Sequence, residues 1–193
     1  MVEAVLAAVE RLTADGTSFT ELRVERIAKE AGIARSTFYL RFRDKTTLLC
    51  TLAAAVGHDV FAVVDDWLAA DGSDEDALAR LTATTATIVT RWRHNRAILL
   101  AVREVAAYSP EVRQVWDIAL TRLAKAGGRH LRQEHKGRTP ARSAERITEI
   151  GAVMILESMA RHLRVAPAHD DAEFSAILAR AIWAVWSAYP RRP

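Results

Sequence analysis

Residues 20–48, TELRVERIAKEAGIARSTFYLRFRDKTTL, hold two short helices joined by a tight turn. Val24, Ile27, Ala28 and Ala31 recur at helical spacing and give the first helix one apolar face. Gly32 supplies the positive-φ position that closes it. Ile33, Phe38 and Phe42 then pin the next helix onto the same small core. The outward face is left with Arg35, Ser36, Thr37, Tyr39, Leu40 and Arg41, and Lys45 begins the helix after. This pattern predicts a helix-turn-helix, whose second helix enters a DNA major groove.

The local charge agrees. The 193-residue chain carries a formal net charge of only +3. Arg35 to Lys45 alone holds four basic residues (Arg35, Arg41, Arg43, Lys45) and one acidic residue (Asp44). The basic excess is therefore a spot and not a property of the whole body, as phosphate contact by one edge of a molecule requires. Scattered arginines on an exposed helix would give the same charge without the helix–Gly–helix pattern.

The run VERIAKEAGIARSTFYLRFRDKTTL resembles the signature of the TetR family of bacterial transcriptional regulators, matching at Ile-Ala, Ala-Gly-Ile, Thr-Phe-Tyr, Phe42 and Lys45. The resemblance implies phosphate contacts from Thr37, Tyr39 and Lys45, base-edge reading by Arg35, Ser36 and Leu40, and a backbone contact from Arg41. One departure stands out. Ala34 occupies the place where the family usually has a serine N-cap, and the loss of that acceptor costs about 1 kcal/mol of helix-end stability.

Composition bounds the remainder. Half of the residues are hydrophobic, and glycine and proline number only 8 and 5. That balance predicts an all-α chain with ample material for a core. The single cysteine, Cys50, forms no intramolecular disulfide and lies among Leu48, Leu49 and Leu52, where a buried inert thiol is expected. Met1 to Val9 contains Glu3 and lacks a basic start and a cleavage site, so no signal peptide is expected. No uninterrupted apolar stretch approaches the ~20 residues that span a bilayer. A cytoplasmic protein without a membrane partner is expected.

The organisation reads as a three-helix helix-turn-helix domain (1–48) followed by a helical ligand-binding and dimerisation domain (49–193), about nine helices in all. The first helix buries Val5, Leu6, Val9 and Leu12 and ends at Asp15-Gly16. A long fourth helix starts near Asp44 and runs through Leu48, Leu52, Val56, Val60, Val64 and Leu68. It crosses the domain boundary, so motion at one end is felt at the other. The stretch 69–76 breaks it, with Ser73 a good N-cap for the fifth helix (74–93). A sixth helix is expected over 95–107. Ser109-Pro110-Glu111 has cap, first-turn proline and early acid in the order that opens a seventh. Gly127-Gly128 is expected to weaken or split that helix. Residues 135–143 read as a polar loop, and two last helices follow at about 140–164 and 171–188.

No catalytic constellation is present in the pattern. The six histidines (58, 94, 130, 135, 162, 169) make no i,i+4 pair, and no metal site, cofactor or enzymatic activity is expected. The tryptophans are more informative: Trp67, Trp92, Trp116, Trp183 and Trp186 all fall in the second domain, with Phe61, Tyr108, Met154, Met159, Phe174 and Tyr189. Large aromatics with adaptable methionines suit an apolar ligand cavity, and they equally suit packing or an interface. The ligand-binding candidates are Trp92, Trp116, Met154 and Trp183, with Glu157 as a polar anchor or a partner of Arg161.

The stretches LAVREVAAYSPEVRQVWDIAL, ILESMARHL and AIWAVWSAY also resemble the EthR-like branch of actinobacterial regulators. That resemblance implies a hydrophobic tunnel and a dimer formed by the last two helices. Apolar residues on more than one face of those helices support such an interface: Ile150, Val153, Ile155 and Met159, then Ile177, Leu178, Ile182 and Val185. The expected protein is a homodimeric repressor on a palindromic operator in double-stranded DNA, released by a small apolar effector. An activator or a partner-dependent regulator on the same fold is the alternative, followed by a small-molecule-binding helical protein without a DNA function.

Overall fold

A computed structural model describes residues 1–70, 74–134 and 140–187. Among these residues the chain is all-helical: α1 (Val2–Thr13), α2 (Val24–Glu30), α3 (Arg35–Arg41), α4 (Lys45–Ala69), α5 (Asp74–His94), α6 (Arg96–Val105), α7 (Pro110–Glu134), α8 (Ala141–Val165) and α9 (Asp171–Ser187). Two 3₁₀ turns, Phe19–Glu21 and Ala168–Asp170, precede α2 and α9. The all-α prediction is met.

The helices divide into two compact units. The first comprises residues 1–58 and 94–117, the second 59–93 and 118–193. This differs from a single cut after residue 48. The reason is packing: Ile98, Ala101, Val102 and Val105 of α6 and Val112 of α7 join Val5, Val9, Phe19, Ile27, Phe38, Phe42, Leu48 and Leu52 in one core. Periodicity along a chain does not reveal which later helix completes an earlier core.

Local chemistry accounts for the helix ends. In α1, Val5, Ala8, Val9 and Leu12 form the buried row, and Gly16 at φ 94° turns the chain beyond it. At the start of α4, Asp44 Oδ1 accepts from the Thr47 N–H at 2.7 Å. That hydrogen bond is the main cause holding the Asp44 carboxyl below its ordinary range. Ser109 opens α7, its Oγ accepting from the Val112 N–H at 3.4 Å. The Ser73 cap, like His135 and Tyr189, lies outside the described residues. Of the expected loop 135–143, residues 141–143 already belong to α8.

The glycine pair of α7 does not split it. The helix is continuous through Gly127 and Gly128 because these residues let α8 approach closely. A Cβ on Gly128 would stand 3.0 Å from Glu145 Cγ and 3.1 Å from its backbone, and one on Gly127 would stand 2.9 Å from Thr148 Cγ2. The glycines trade helix propensity for helix–helix contact.

Helix α4 qualifies the membrane reading. It is long and apolar enough to cross a bilayer, with a mean hydropathy of 1.8 over its most apolar window. Leu48, Leu49 and Leu52 are instead buried in the core of the first unit, and exposed Asp59 interrupts the run.

In the second unit, Arg93 of α5 grips the end of α8 and the start of α9. Its Nε and Nη2 donate to the two oxygens of Asp171, the former at 3.0 Å, and its Nη1 donates to the Leu163 and Ala166 carbonyls at 3.3 and 3.0 Å. His162 Nε2 meets Asp171 Oδ1 at 2.7 Å, and its ring stacks on Phe174. Burial pushes the Asp171 carboxyl up, but the hydrogen bonds and charges of Arg93 and His162 outweigh it and leave the group below its ordinary value.

Candidate functional site

Helix α3 is held from behind and free in front. Phe38 and Phe42 are completely buried, their ring centroids 5.0 Å apart, and each contributes about 1.5–3 kcal/mol by leaving water. Gly32 at φ 69° ends the preceding helix, and the Ile33 N–H donates to the Ala28 carbonyl at 2.9 Å. The turn and the two phenylalanines therefore fix which face of α3 looks outward. That face presents Arg35, Ser36, Thr37, Tyr39, Leu40 and Arg41, all exposed. Leu40, 88% exposed, has no packing role to explain it. Ala34 caps α3 without a side-chain hydrogen bond.

Two of the cationic candidates are engaged within the unit. Arg35 Nη2 pairs with Glu25 Oε1 at 3.0 Å, and its guanidinium lies 5.7 Å from the Tyr39 ring centroid. Lys45 is half-buried, its Nζ donating to the carbonyls of Thr20 at 2.7 Å and Leu22 at 2.6 Å. It also lies 5.2 Å from the Phe19 ring. Burial lowers its pKa, and the nearby Glu104 charge works the other way. Lys45 thus ties the 3₁₀ turn to the head of α4, a structural duty that motif reading did not anticipate. Cys50 packs against the same core, and burial pushes its thiol pKa up, which keeps it a poor nucleophile.

The second unit encloses a cavity of about 240 Å³ built by α4, α5, α7, α8 and α9. Trp92 and Met154 line it, as do four residues singled out for the interface, Ile155, Met159, Leu178 and Ile182. Met159 and Leu178 are buried within the unit, so their side chains serve its interior. Val185 and Met154 line the cavity while staying 39% and 56% exposed, and so form its rim. Ile150, Val153 and Ile177 are exposed without lining it. The other three ligand candidates lie elsewhere. Trp116 packs on the core of the first unit. Trp183 packs on Trp67, Leu81 and Ala179 and is not among the lining residues. Glu157 is exposed on α8, also outside the lining.

Trp67 and Trp186 also line the cavity; both belong to the tryptophan set the sequence points to, but neither was among the chosen ligand-binding candidates. Their rings lie 5.1 Å apart, both near His130, whose Nδ1 lies 3.2 Å from the Leu68 carbonyl oxygen. The available signal was the continuation of the α4 apolar row, Val60 and Val64 leading to Trp67. Among the described residues no ionisable side chain lines the cavity. Among the described residues there is also no group of histidine, cysteine or carboxylate side chains that could hold a metal ion.

Residues 7–50 match the model of bacterial regulatory proteins of the tetR family. No curated protein sequence matches the chain. Solved structures extend the likeness over its whole length. The fatty acid degradation regulator FadR from Bacillus halodurans superposes with a TM-score of 0.72 at 15% identity, covering 99% of this chain and 97% of its own. A tetR-family transcriptional regulator from Streptomyces coelicolor gives 0.68 at 20% identity, covering 98% and 82%. FadR from Bacillus subtilis, solved with stearoyl-CoA, gives 0.65 at 16% identity, covering 97% and 98%. Residues 7–50 thus match the model of the tetR family, and the chain has the fold of these solved regulators.

Proposed function

We propose that this protein is a cytoplasmic, homodimeric transcriptional repressor that binds a palindromic operator and is released by a small apolar effector. The observation that carries the reading is α3 itself: its phenylalanines are sealed into the core while polar, cationic and apolar groups able to touch phosphates and bases stand exposed. Arg35, Ser36 and Leu40 read base edges, and Thr37, Tyr39 and Arg41 hold the backbone. Lys45 has three donors, two of them engaged by carbonyls, and the third is left for a phosphate.

The dimer forms through α8 and α9, with Ile150, Val153, Ile177 and Val185 as the contact residues. Their exposure together on two adjacent helices supports the reading, since apolar patches of this kind mark association sites. A partner copy on this face also covers the cavity rim at Met154 and Val185. The mainly hydrophobic cavity agrees with the EthR-like branch, and the Bacillus subtilis neighbour carries an acyl ligand of its own. The effector binds better to a conformation in which the two recognition helices no longer match the half-site spacing, because equal affinity for both states would shift nothing. Helix α4 belongs to the first unit up to His58 and to the second from Asp59, and acts as the lever.

The test is a footprint of the purified protein on DNA upstream of its own gene across a salt series. A discrete symmetric protected site with a steep salt dependence is expected. Salt-sensitive binding without a preferred site would remove the autoregulatory operator from the reading. Absence of binding at low salt would remove the DNA function.

A further inference from the structure

Leu40 of α3 is 88% exposed, more than any other large apolar side chain among the described residues. A lone leucine on an ordinary surface calls for no explanation. This one has a fixed direction. Positions two residues away along a helix lie about 200° around its axis, and Phe38 and Phe42, two residues before and two after, are both completely buried. Leu40 therefore sits on the side of α3 directly opposite the core, at the centre of the outward face.

The neighbours on that face leave the leucine in front. Arg35 Nη2 pairs with Glu25 Oε1 at 3.0 Å, and its guanidinium lies 5.7 Å from the Tyr39 ring, so the Arg35–Tyr39 row leans toward α2. Ser36, one turn before Leu40, and Thr37 and Arg41 beside it are exposed and polar. An apolar side chain thus stands among groups suited to phosphates and to polar base edges.

Chemistry then narrows what the leucine meets. It has no donor or acceptor, and pressing it on a base nitrogen or oxygen would strip water from a polar group without pairing it. The major-groove edges of the four bases carry one apolar group between them, the C5-methyl of thymine. Contact there takes apolar surface of both partners out of water. We infer that Leu40 is a specificity-determining residue that selects a thymine in each half-site through its C5-methyl group. This deepens the DNA-binding reading above and rests on it.

The experiment lets the full-length protein select its site from a randomised duplex library at low salt. Affinity for the selected duplex is then read by fluorescence anisotropy, with deoxyuridine replacing each thymine in turn. Deoxyuridine keeps the hydrogen-bonding groups of thymine and lacks only the methyl. One thymine per half-site is expected at which the replacement weakens binding about fourfold, and about fifteenfold when both half-sites are changed, as loss of one buried methyl at each predicts. At the same place 5-methylcytosine is expected to bind more tightly than cytosine. Leu40→Ser removes the apolar group from a position without packing, so the helical circular dichroism spectrum is expected to stay unchanged. The variant is expected to bind the thymine and deoxyuridine duplexes equally, which assigns the methyl to Leu40 as a double-mutant cycle does.

A selected site at which no thymine responds to deoxyuridine would overturn the inference and leave the DNA-binding reading standing. A response of the same size in Leu40→Ser would overturn it in favour of another side chain on the methyl. Equal weakening of Leu40→Ser on every duplex, selected or random, would overturn it in favour of packing on the sugar backbone. Binding without any selected sequence would overturn it by removing base reading altogether. Absence of binding at low salt would remove the DNA-binding reading and the inference together.

Discussion

The Lys45 ammonium is spent on two carbonyls of the turn before α2, and only its third proton is left for DNA. Replacing it by Met keeps the stem and removes the donors. Lys45→Met is expected to lower the free energy of unfolding by about 1–3 kcal/mol in urea titrations, since hydrogen bonds from a charged donor are among the stronger ones. Asp171 is the corresponding residue of the second unit. With Arg93 and His162 both on its oxygens, Asp171→Asn leaves a largely buried guanidinium half-paired, with an expected loss of about 3–5 kcal/mol. The pH dependence follows from the depressed carboxyl. Its contribution is fully present above the ordinary value of 3.8 and is lost as pH falls through the lowered folded-state value. Acid unfolding followed by circular dichroism should therefore show a steeper acid limb in the wild-type chain than in Asp171→Asn.

At the scale of elements, α3 and the α7–α8 contact make separate predictions. Arg41 is exposed at the end of α3 and suits a phosphate contact, whereas Arg35 stands near its start. Arg41→Ala is expected to weaken binding to all DNA sequences alike and to reduce the salt slope by about 0.9, as loss of one neutralised phosphate does. Arg35→Ala is expected to change the ranking of operator variants in a binding-site selection. Equal loss on every sequence would exclude Arg35 from base reading. For α7 and α8, two glycine substitutions have opposite signs. Gly128→Ala gains up to about 1 kcal/mol of helix propensity but drives a Cβ to 3.1 Å from the Glu145 backbone, so a lower melting temperature is expected. Gly151→Ala gains the same propensity into open space, and a higher melting temperature is expected. The glycine pair of α7 was legible as an anomaly, but its sign was not. A sequence shows that a helix contains glycine and does not show what approaches it.

At the scale of the molecule, the question is how two copies meet. Ile150 and Ile177 are 55% and 51% exposed on α8 and α9. A glutamate at either position is expected to give a monomer in sedimentation, with a steep loss of operator affinity because each half-site is then bound alone. Met159 and Leu178 carry no such expectation, since their side chains already fill the interior of the unit.

Much of this protein was decided locally. The spacing of Val24, Ile27, Ala28, Gly32, Phe38 and Phe42 specifies a helix, a turn and a helix with one possible inner face, because each constraint acts within a few residues. The polar and basic outer face of α3 follows by elimination, and the helix starts at Asp44 and Ser109 follow from local capping chemistry. Tertiary structure decided what depends on distant partners. It assigned α6 to the first unit, and Trp116 with it, because burial there is completed by residues far away in the chain. It turned Lys45 toward Thr20 and Leu22. It also sorted the apolar residues of α8 and α9 into interior, rim and exposed face, a distinction invisible to hydrophobicity since all three sets are equally apolar. The indole nitrogens of Trp67 and Trp92, buried without a hydrogen-bond partner, belong to the same class of fact. Whether a donor finds an acceptor is a property of the assembled walls, and no pattern within one helix encodes it.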